Sequence, residues 1–320
     1  MTVKAQFPSE QSSSGAFSRQ QDAFNERISA APGAPYPAAS GRYHLYVSLA
    51  CPWAHRTVIV RELFGLDAAI GMTAVDPIRT DGEGWAFREG RGYSRDPVNG
   101  FAFLREAYDA NDPAYCGRVT VPVLWDRQTK RIVSNNDDTI MRSLETEFGA
   151  FARRHLDLYP IQHRTEIDEL NERVFETVND GVYRAGFATT QGAYEASVYR
   201  LFETLDMLEG RLATRRYLFG PQPVETDWRL FVTLVRFDAV YVGHFKCNVR
   251  RIADYPSLSG YLRDLYQKPG VASTVDFDHI KRHYYATHGD INPTGIVPVG
   301  PLQDLAAPHG RQGLSSPARG

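Results

Sequence analysis

Cysteine is scarce in this sequence: Cys51, Cys116 and Cys247 are the only three among 320 residues. An odd count at wide spacing argues against a disulfide scaffold or a cysteine-only zinc site. Neither charge dominates, with 36 basic residues against 38 acidic ones and a net charge of −2. Without a basic excess to neutralise phosphates, nucleic acid is not expected as the main partner. No uninterrupted apolar run reaches the roughly 18 residues a membrane helix needs. The opening stretch MTVKAQFPSEQSSSG has no apolar core, so no secretory signal is expected there and a cytoplasmic setting is. There is no HExxH, no glycine-rich phosphate loop, and the nine histidines are scattered, so neither a metal nor a nucleotide site is expected. What is present is ordinary globular composition, 42% hydrophobic and 23% charged, in a chain long enough for about two domains.

Residues 1–40 are rich in Ser, Ala, Gly, Gln and Pro and read as an N-terminal arm with at most a short helix around Phe17–Ile28. The run YHLYVSL from Tyr43 is aromatic and β-branched, hence strand-like, and it stops at Ala50-Cys51-Pro52. Apolar residues at helical spacing follow up to Gly65, and Pro52 suits a first helical turn, where its missing N–H costs nothing. Residues 69–75, 119–126 and 131–134 read as further strands, and Thr139–Phe148 as a helix. Within the polar excursion 76–118, Phe103–Tyr108 suits a short helix. The order β-α-β-insert-β-β-α is that of a thioredoxin-like α/β domain over 41–150. From Ile161 the pattern turns helical. Ile167, Leu170, Val174, Phe175 and Val178 mark one amphipathic face, and Tyr194 to Leu212 a second. Asp227–Val242 is apolar nearly all round, as a buried central helix would be. Strands followed by a run of helices imply an all-α helical-bundle domain over 160–285. A C-terminal extension, 286–320, completes the chain, its last ~20 residues expected to be disordered.

The sharpest chemical signal is Cys51. A thiol at a helix start faces unpaired backbone N–H groups and the positive end of the helix dipole, and both favour thiolate. Ala54 stands where a Cys-x-x-Cys motif would place a resolving thiol. One-cysteine chemistry follows: a mixed disulfide with a small thiol, cleared by a second thiol molecule. His55 and Arg56 are candidate sources of nearby positive charge. Cys116 and Cys247 lack the strand-to-helix context and read as structural. Val121-Pro122 opens a strand where a thioredoxin-like domain holds a cis-proline beside its reactive cysteine, so a cis bond is expected there.

These residues bring a family into view. The chain resembles the glutathionyl-hydroquinone reductases, the Xi class of glutathione transferases, from about Gly41 to Pro301. The markers are GRYHLYVSLACPWAHRTVIVRELFGL (41–66), DPVNG (96–100), VTVPVLWD (119–126), GVYRAGFA (181–188), DWRLFVTLVRFDAVYVGHFKCN (227–248), DHIKRHYY (278–285) and INPTGIVPVGP (291–301). The resemblance implies a glutathione transferase fold, glutathione as co-substrate, a homodimer, and removal of glutathione from S-glutathionyl-hydroquinones. It makes Cys51 the nucleophile and Trp85 a residue packed against the thiol ligand. Val121 would pair with the ligand backbone, and Tyr183 and Tyr284, with Tyr285 beside them, would line the aromatic pocket.

Two departures stand out. Where the family carries a V-x-N-E-S run, this chain has VSNNDD: Asn136 stands in place of Glu and Asp137 in place of Ser. Those two positions would hold the ends of the γ-glutamyl group, and a carboxylate at 137 would meet the ligand's own. The same residues are also good turn and cap formers. Val224, at the start of the buried helix, replaces a capping Thr or Ser, leaving Thr226 or Asp227 to take over. The first departure keeps a second thiol open: mycothiol, which lacks a γ-glutamyl group. An alternative of another class is a transferase-fold binding module without catalysis, which the intact Cys51 motif disfavours.

Overall fold

Strands β1 (Tyr43–Val47), β2 (Gly71–Ala74), β3 (Val123–Asp126) and β4 (Arg131–Ser134) form one sheet in the order β2-β1-β3-β4. β1 and β2 run parallel, and the other two pairs are antiparallel. Helices α1 (Pro52–Leu63), α2 (Arg105–Asn111) and α3 (Asp137–Thr146) complete the thioredoxin-like arrangement expected. The molecule is seen here as a computed structural model that describes residues 5–80 and 82–315. All five residues of β1 are buried, as suits a central strand covered on both faces. Its partner β2 opens with Gly71, opposite His44, where a Cβ would lie 2.4 Å from the imidazole. His44 in turn is hydrogen-bonded through Nε2 to Thr73 Oγ1 at 2.8 Å, and burial lowers its pKa to about 4.

The strand expected over 119–126 is confined to Val123–Asp126, since Pro122 has no N–H to give a ladder. The polar excursion is tied down by Asp96, whose carboxylate accepts from the N–H groups of Val98, Asn99 and Phe101 and from the Tyr46 hydroxyl. Its helix, α2, starts two residues later than expected.

The chain divides into two compact units. One holds Gln20–Leu156 and Ser273–His283; the other holds the described residues of Met1–Arg19, Asp157–Ala272 and Tyr284–Gly320. The helix expected around Phe17–Ile28 is absent. Instead residues 24–26 lie extended along β4, with Glu26 N–H donating to Val133 O and Asn135 N–H to Phe24 O. Backbone groups there are satisfied by an open sheet edge, which outweighs a weak helix pattern.

The second unit contains α4 (Arg164–Val174), α5 (Gly181–Gly186), α6 (Gln191–Leu212), α7 (Glu225–Arg236) and α8 (Pro256–Tyr266). The boundary between units falls inside α9 (Phe277–Thr287), so His283 is counted with the sheet unit and Tyr284 with the helical one. On α6, Val198, Leu201, Phe202, Leu205, Leu208 and Leu212 are buried, the stripe the spacing predicts. Every residue of α7 is buried. Single π-helical turns, Phe175–Asn179 and Phe237–Tyr241, follow α4 and α7. The capping question at Val224 resolves in favour of Asp227. Its carboxylate accepts from Val224 N–H at 2.7 Å, Leu218 N–H at 3.0 Å and the Tyr261 hydroxyl at 2.7 Å.

The C-terminal extension corrects the expectation of disorder as far as residue 315. Arg311 is buried, and its guanidinium donates to Leu212 O and Arg216 O just beyond the end of α6 and to Ser257 O. Gln267 Nε2 donates to Leu305 O and Ala307 O. A Ser-, Pro- and Gly-rich composition reads as disorder, but one arginine satisfying several helix-end carbonyls is enough to hold it. Residues 316–320 lie outside the described residues.

Candidate active site

Cys51 is the N-cap residue of α1, in extended conformation, with Pro52 in the first turn. Its carbonyl accepts the first intrahelical bond, from His55 N–H at 3.0 Å. The thiol is partly exposed, and its Sγ lies 3.5 Å from Val121 O. The Val121-Pro122 bond is cis, as the strand order predicts. Sulfur at a helix start and the backbone of the cis-proline turn are therefore brought together within the sheet unit. By contrast, Cys247 is wholly buried, and burial pushes its thiol pKa up. Cys116 is exposed in a loop.

Neither expected cationic neighbour of the thiol is spare. His55 is buried and hydrogen-bonded through Nε2 to Thr274 Oγ1 at 2.8 Å. Arg56 is fully buried; Nη1 donates to Asp137 Oδ2 at 2.7 Å and to Asp138 Oδ1 at 3.1 Å, and the guanidinium lies over the Trp53 ring. The helix start itself favours the thiolate at Cys51.

Trp85 is buried in the same unit and stacks on His283, ring centres 5.0 Å apart and planes 24° from parallel. His283 is held by Nδ1 donating to Pro77 O at 2.8 Å. Asn136 is the N-cap of α3: its Oδ1 accepts from Thr139 N–H at 2.8 Å while its Nδ2 donates to Asp22 at 2.9 Å. The turn-and-cap role expected of NNDD is thus present, and Asn136 and Asp137, the two positions the resemblance gives to a γ-glutamyl clasp, have partners inside the protein.

The tyrosines gather in the helical unit. The Tyr183 and Tyr284 hydroxyls are hydrogen-bonded to each other, and Tyr284 is bonded onward to the Tyr241 hydroxyl at 3.0 Å. Burial raises the Tyr284 pKa well above the ordinary phenol value, so it stays protonated. Tyr285 stands apart from this chain, its hydroxyl donating to Ala239 O at 3.3 Å. The π-helical turns shape the cluster: one ends just before Asp180 and Tyr183, and the other ends on Tyr241. Asn179 joins the first turn to α7 by donating to Arg229 O and Thr233 Oγ1. Gly186, in the GVYRAGFA motif, has a packing reason: a Cβ there would lie 2.2 Å from the Phe245 ring. Phe245 stacks flat on Tyr241 at 5.5 Å and meets Tyr183 edge-on at 5.4 Å.

Sequence reasoning missed Tyr241 and His283. Both lie within motifs already singled out, but as core and packing positions. Among the described residues no group of three or more His, Cys, Asp or Glu is placed to hold a metal ion. No helix of the described residues is long and apolar enough to cross a membrane.

Comparison with known proteins bears on the whole chain. The family model described as Glutathione S-transferase, C-terminal domain, matches residues 191–264, from α6 into α8. Glutathionyl-hydroquinone reductase YqjG of Escherichia coli is 51% identical over 308 residues, covering 94% of this chain and 93% of its own. Glutathionyl-hydroquinone reductase PcpF of Sphingobium chlorophenolicum is 49% identical over 294 residues, 92% of each. The glutathione-bound structure of YqjG matches with a TM-score of 0.87 at 50% identity, over 90% of this chain and 96% of that one. The Xi-class transferase from Natrialba magadii matches with a TM-score of 0.88 at 47% identity, over 90% and 88%.

Proposed function

Because the chain belongs to the glutathionyl-hydroquinone reductases, the Xi class of glutathione transferases, we propose that it removes glutathione from S-glutathionyl-hydroquinones through Cys51. The Cys51 thiolate attacks the conjugate's sulfur. The carbon–sulfur bond breaks, its electron pair stays with the ring carbon, and that carbon takes a proton, releasing the hydroquinone. A Cys51–glutathione disulfide remains. A second glutathione thiolate attacks it, giving glutathione disulfide and restoring the Cys51 thiolate. Two electrons thus pass from the thiols to the ring carbon.

The observation that carries this reading is the position of Cys51, partly exposed at the start of α1 with Sγ 3.5 Å from Val121 O. A helix start stabilises the thiolate as nucleophile and as leaving group. The Val121 backbone and Trp85 serve the thiol ligand. Tyr183 and Tyr284, hydrogen-bonded to each other, serve the aromatic half: a phenol O–H donates to a ring hydroxyl and supplies the proton as sulfur leaves. Tyr285 supports the pocket by packing on His244 rather than through its hydroxyl. The enzyme works as a cytoplasmic homodimer.

A second reading rests on Asn136 and Asp137, whose side chains are engaged by Thr139, Asp22 and Arg56. A thiol without a γ-glutamyl group, such as mycothiol, does not need them. Turnover of menadione conjugates of glutathione and of mycothiol, side by side, separates the two. Faster turnover of the glutathione conjugate supports the first reading, faster turnover of the mycothiol conjugate the second, and turnover of neither rejects both.

A further inference from the structure

Arg19 belongs to the N-terminal arm, 161 residues before the carboxylate that holds it. Its Nε donates to Asp180 Oδ1 at 2.7 Å, and the other oxygen of Asp180 accepts from Arg184 Nε at 2.8 Å. Asp180 is nearly inaccessible to solvent. So anchored, the Arg19 guanidinium carbon lies 4.7 Å from the centre of the Tyr183 ring and 5.5 Å from that of Phe17. A cation held over a phenol ring in a poorly hydrated place favours electron density in that ring, and a phenolate carries more of it than a phenol.

We propose that Arg19 is a positioning residue for the Tyr183 hydroxyl, stabilising the phenolate that Tyr183 becomes as it gives its proton to the departing hydroquinone. The inference rests on the function proposed above and deepens it. In the step concerned, the O–H bond of Tyr183 breaks, a C–H bond forms on the ring carbon that has lost sulfur, and Tyr183 regains a proton from water before the next cycle. Asp180 sets the balance, since its carboxylate both fixes Arg19 and offsets part of its field.

The charges around the pair agree with this assignment. Burial opposes the charge on Arg19, but Asp180, then Tyr183, and more weakly Glu10, hold its pKa above the ordinary value. By reciprocity, what Tyr183 does for the guanidinium, the guanidinium does for the phenolate. Titratable groups facing Tyr183 include Tyr284, hydrogen-bonded to it from α9, and Tyr241 on the second π-helical turn, its ring centre 6.1 Å away. Arg236, fully buried, also acts on Tyr284. Tyr284 is kept protonated by burial, while Arg19 lies over the ring of Tyr183, its partner in the hydrogen bond.

The test is single-turnover release of hydroquinone from a menadione–glutathione conjugate, followed from neutral to alkaline pH in the full chain. The wild type is compared with Arg19→Gln, Arg19→Lys and Asp180→Asn. Reduction of a simple glutathione mixed disulfide, which needs no ring-carbon proton, is the control. Release should fall at high pH as Tyr183 loses its proton. Arg19→Gln should move that fall up by about one pH unit and slow release at neutral pH, and Arg19→Lys should restore most of both. Asp180→Asn should move it down, the opposite direction, which a loss of packing does not produce. Disulfide reduction should be unchanged throughout. If Arg19→Gln does not fold, the downward shift in Asp180→Asn decides alone. Coincident pH profiles, or equal losses on both substrates, overturn the role of Arg19 while leaving the proposed function standing. Failure of the wild type to release hydroquinone at all overturns the function and this inference with it.

Discussion

Arg56 Nη1 donates to Asp137 Oδ2 at 2.7 Å with its guanidinium shielded from solvent. This pair joins α1, the helix that begins at Cys51, to the start of α3, the place the resemblance gives to a glutathione clasp. It neutralises part of the charge that Asp137 would otherwise turn on a ligand carboxylate, so on the proposed reading repulsion is milder than the sequence alone suggests. The proposed loss of the clasp still weakens binding. A lost hydrogen bond to a charged ligand end costs about 1.5–3 kcal/mol, or roughly 10- to 150-fold in affinity.

Asn136→Glu combined with Asp137→Ser should therefore lower the glutathione concentration for half-maximal turnover about tenfold or more. It should also cost stability. The α3 cap contributes about 1 kcal/mol, and buried Arg56 would lose its ion pair with Asp137, keeping the one with half-exposed Asp138. Glutathione saturation curves and urea midpoints for both proteins check the pair of effects. Tight saturation of the native enzyme, unimproved in the variant, contradicts the clasp argument.

Tyr183→Phe should slow hydroquinone release at least tenfold while leaving reduction of a simple mixed disulfide within about twofold. Only the first reaction protonates a ring carbon. Equal losses on the two substrates would mean the hydroxyl serves the thiol, or only the core.

His44 should stay neutral down to a pH near 4. Its unfolded value is about 6.5, so between the two the unfolded chain binds the extra proton. The stability it contributes is present above the unfolded pKa and is lost as pH falls toward 4, amounting to about 2–3 kcal/mol. The His44 imidazole C2 proton shift in NMR, followed from pH 7 to 4, reads the midpoint directly. A midpoint near 6.5 would contradict the burial argument.

Asp227→Ala should destabilise the helical unit by about 2–4 kcal/mol, because Val224 N–H, Leu218 N–H and the Tyr261 hydroxyl all lose their acceptor. Chemical denaturation monitored by helical circular dichroism measures it. A loss below about 0.5 kcal/mol would show that these donors find other partners.

What was legible in the sequence was what local chemistry encodes. Cys51 announces itself through a strand, a proline and a helix in succession, and Val121-Pro122 through the strand it opens. The paired stripes of α4 and α6 are visible in their spacing. The phenol cluster was visible only in part, because Tyr183, Tyr241 and Tyr284 are spread over about a hundred residues and meet through two π-helical turns that leave no periodic signature. Arg19 and Arg311 were missed for the same reason. Each lies in a stretch whose composition reads as unstructured, yet is fixed by one guanidinium binding distant acceptors. The short helix the arm allowed gave way around Asn25 to the β4 edge, a partner more than a hundred residues away.

The central claim is that Cys51 alone takes the thiol from the conjugate. Mass spectrometry of the enzyme mixed with one equivalent of S-glutathionyl-menadiol, quenched with acid before a second thiol is added, tests it most directly. The account predicts one glutathione adduct, on Cys51, together with one equivalent of free menadiol. The adduct and the release should both vanish in Cys51→Ala and persist in Cys116→Ala and Cys247→Ala. Release of menadiol by Cys51→Ala at the native rate, or an adduct on Cys116 in place of Cys51, would contradict it.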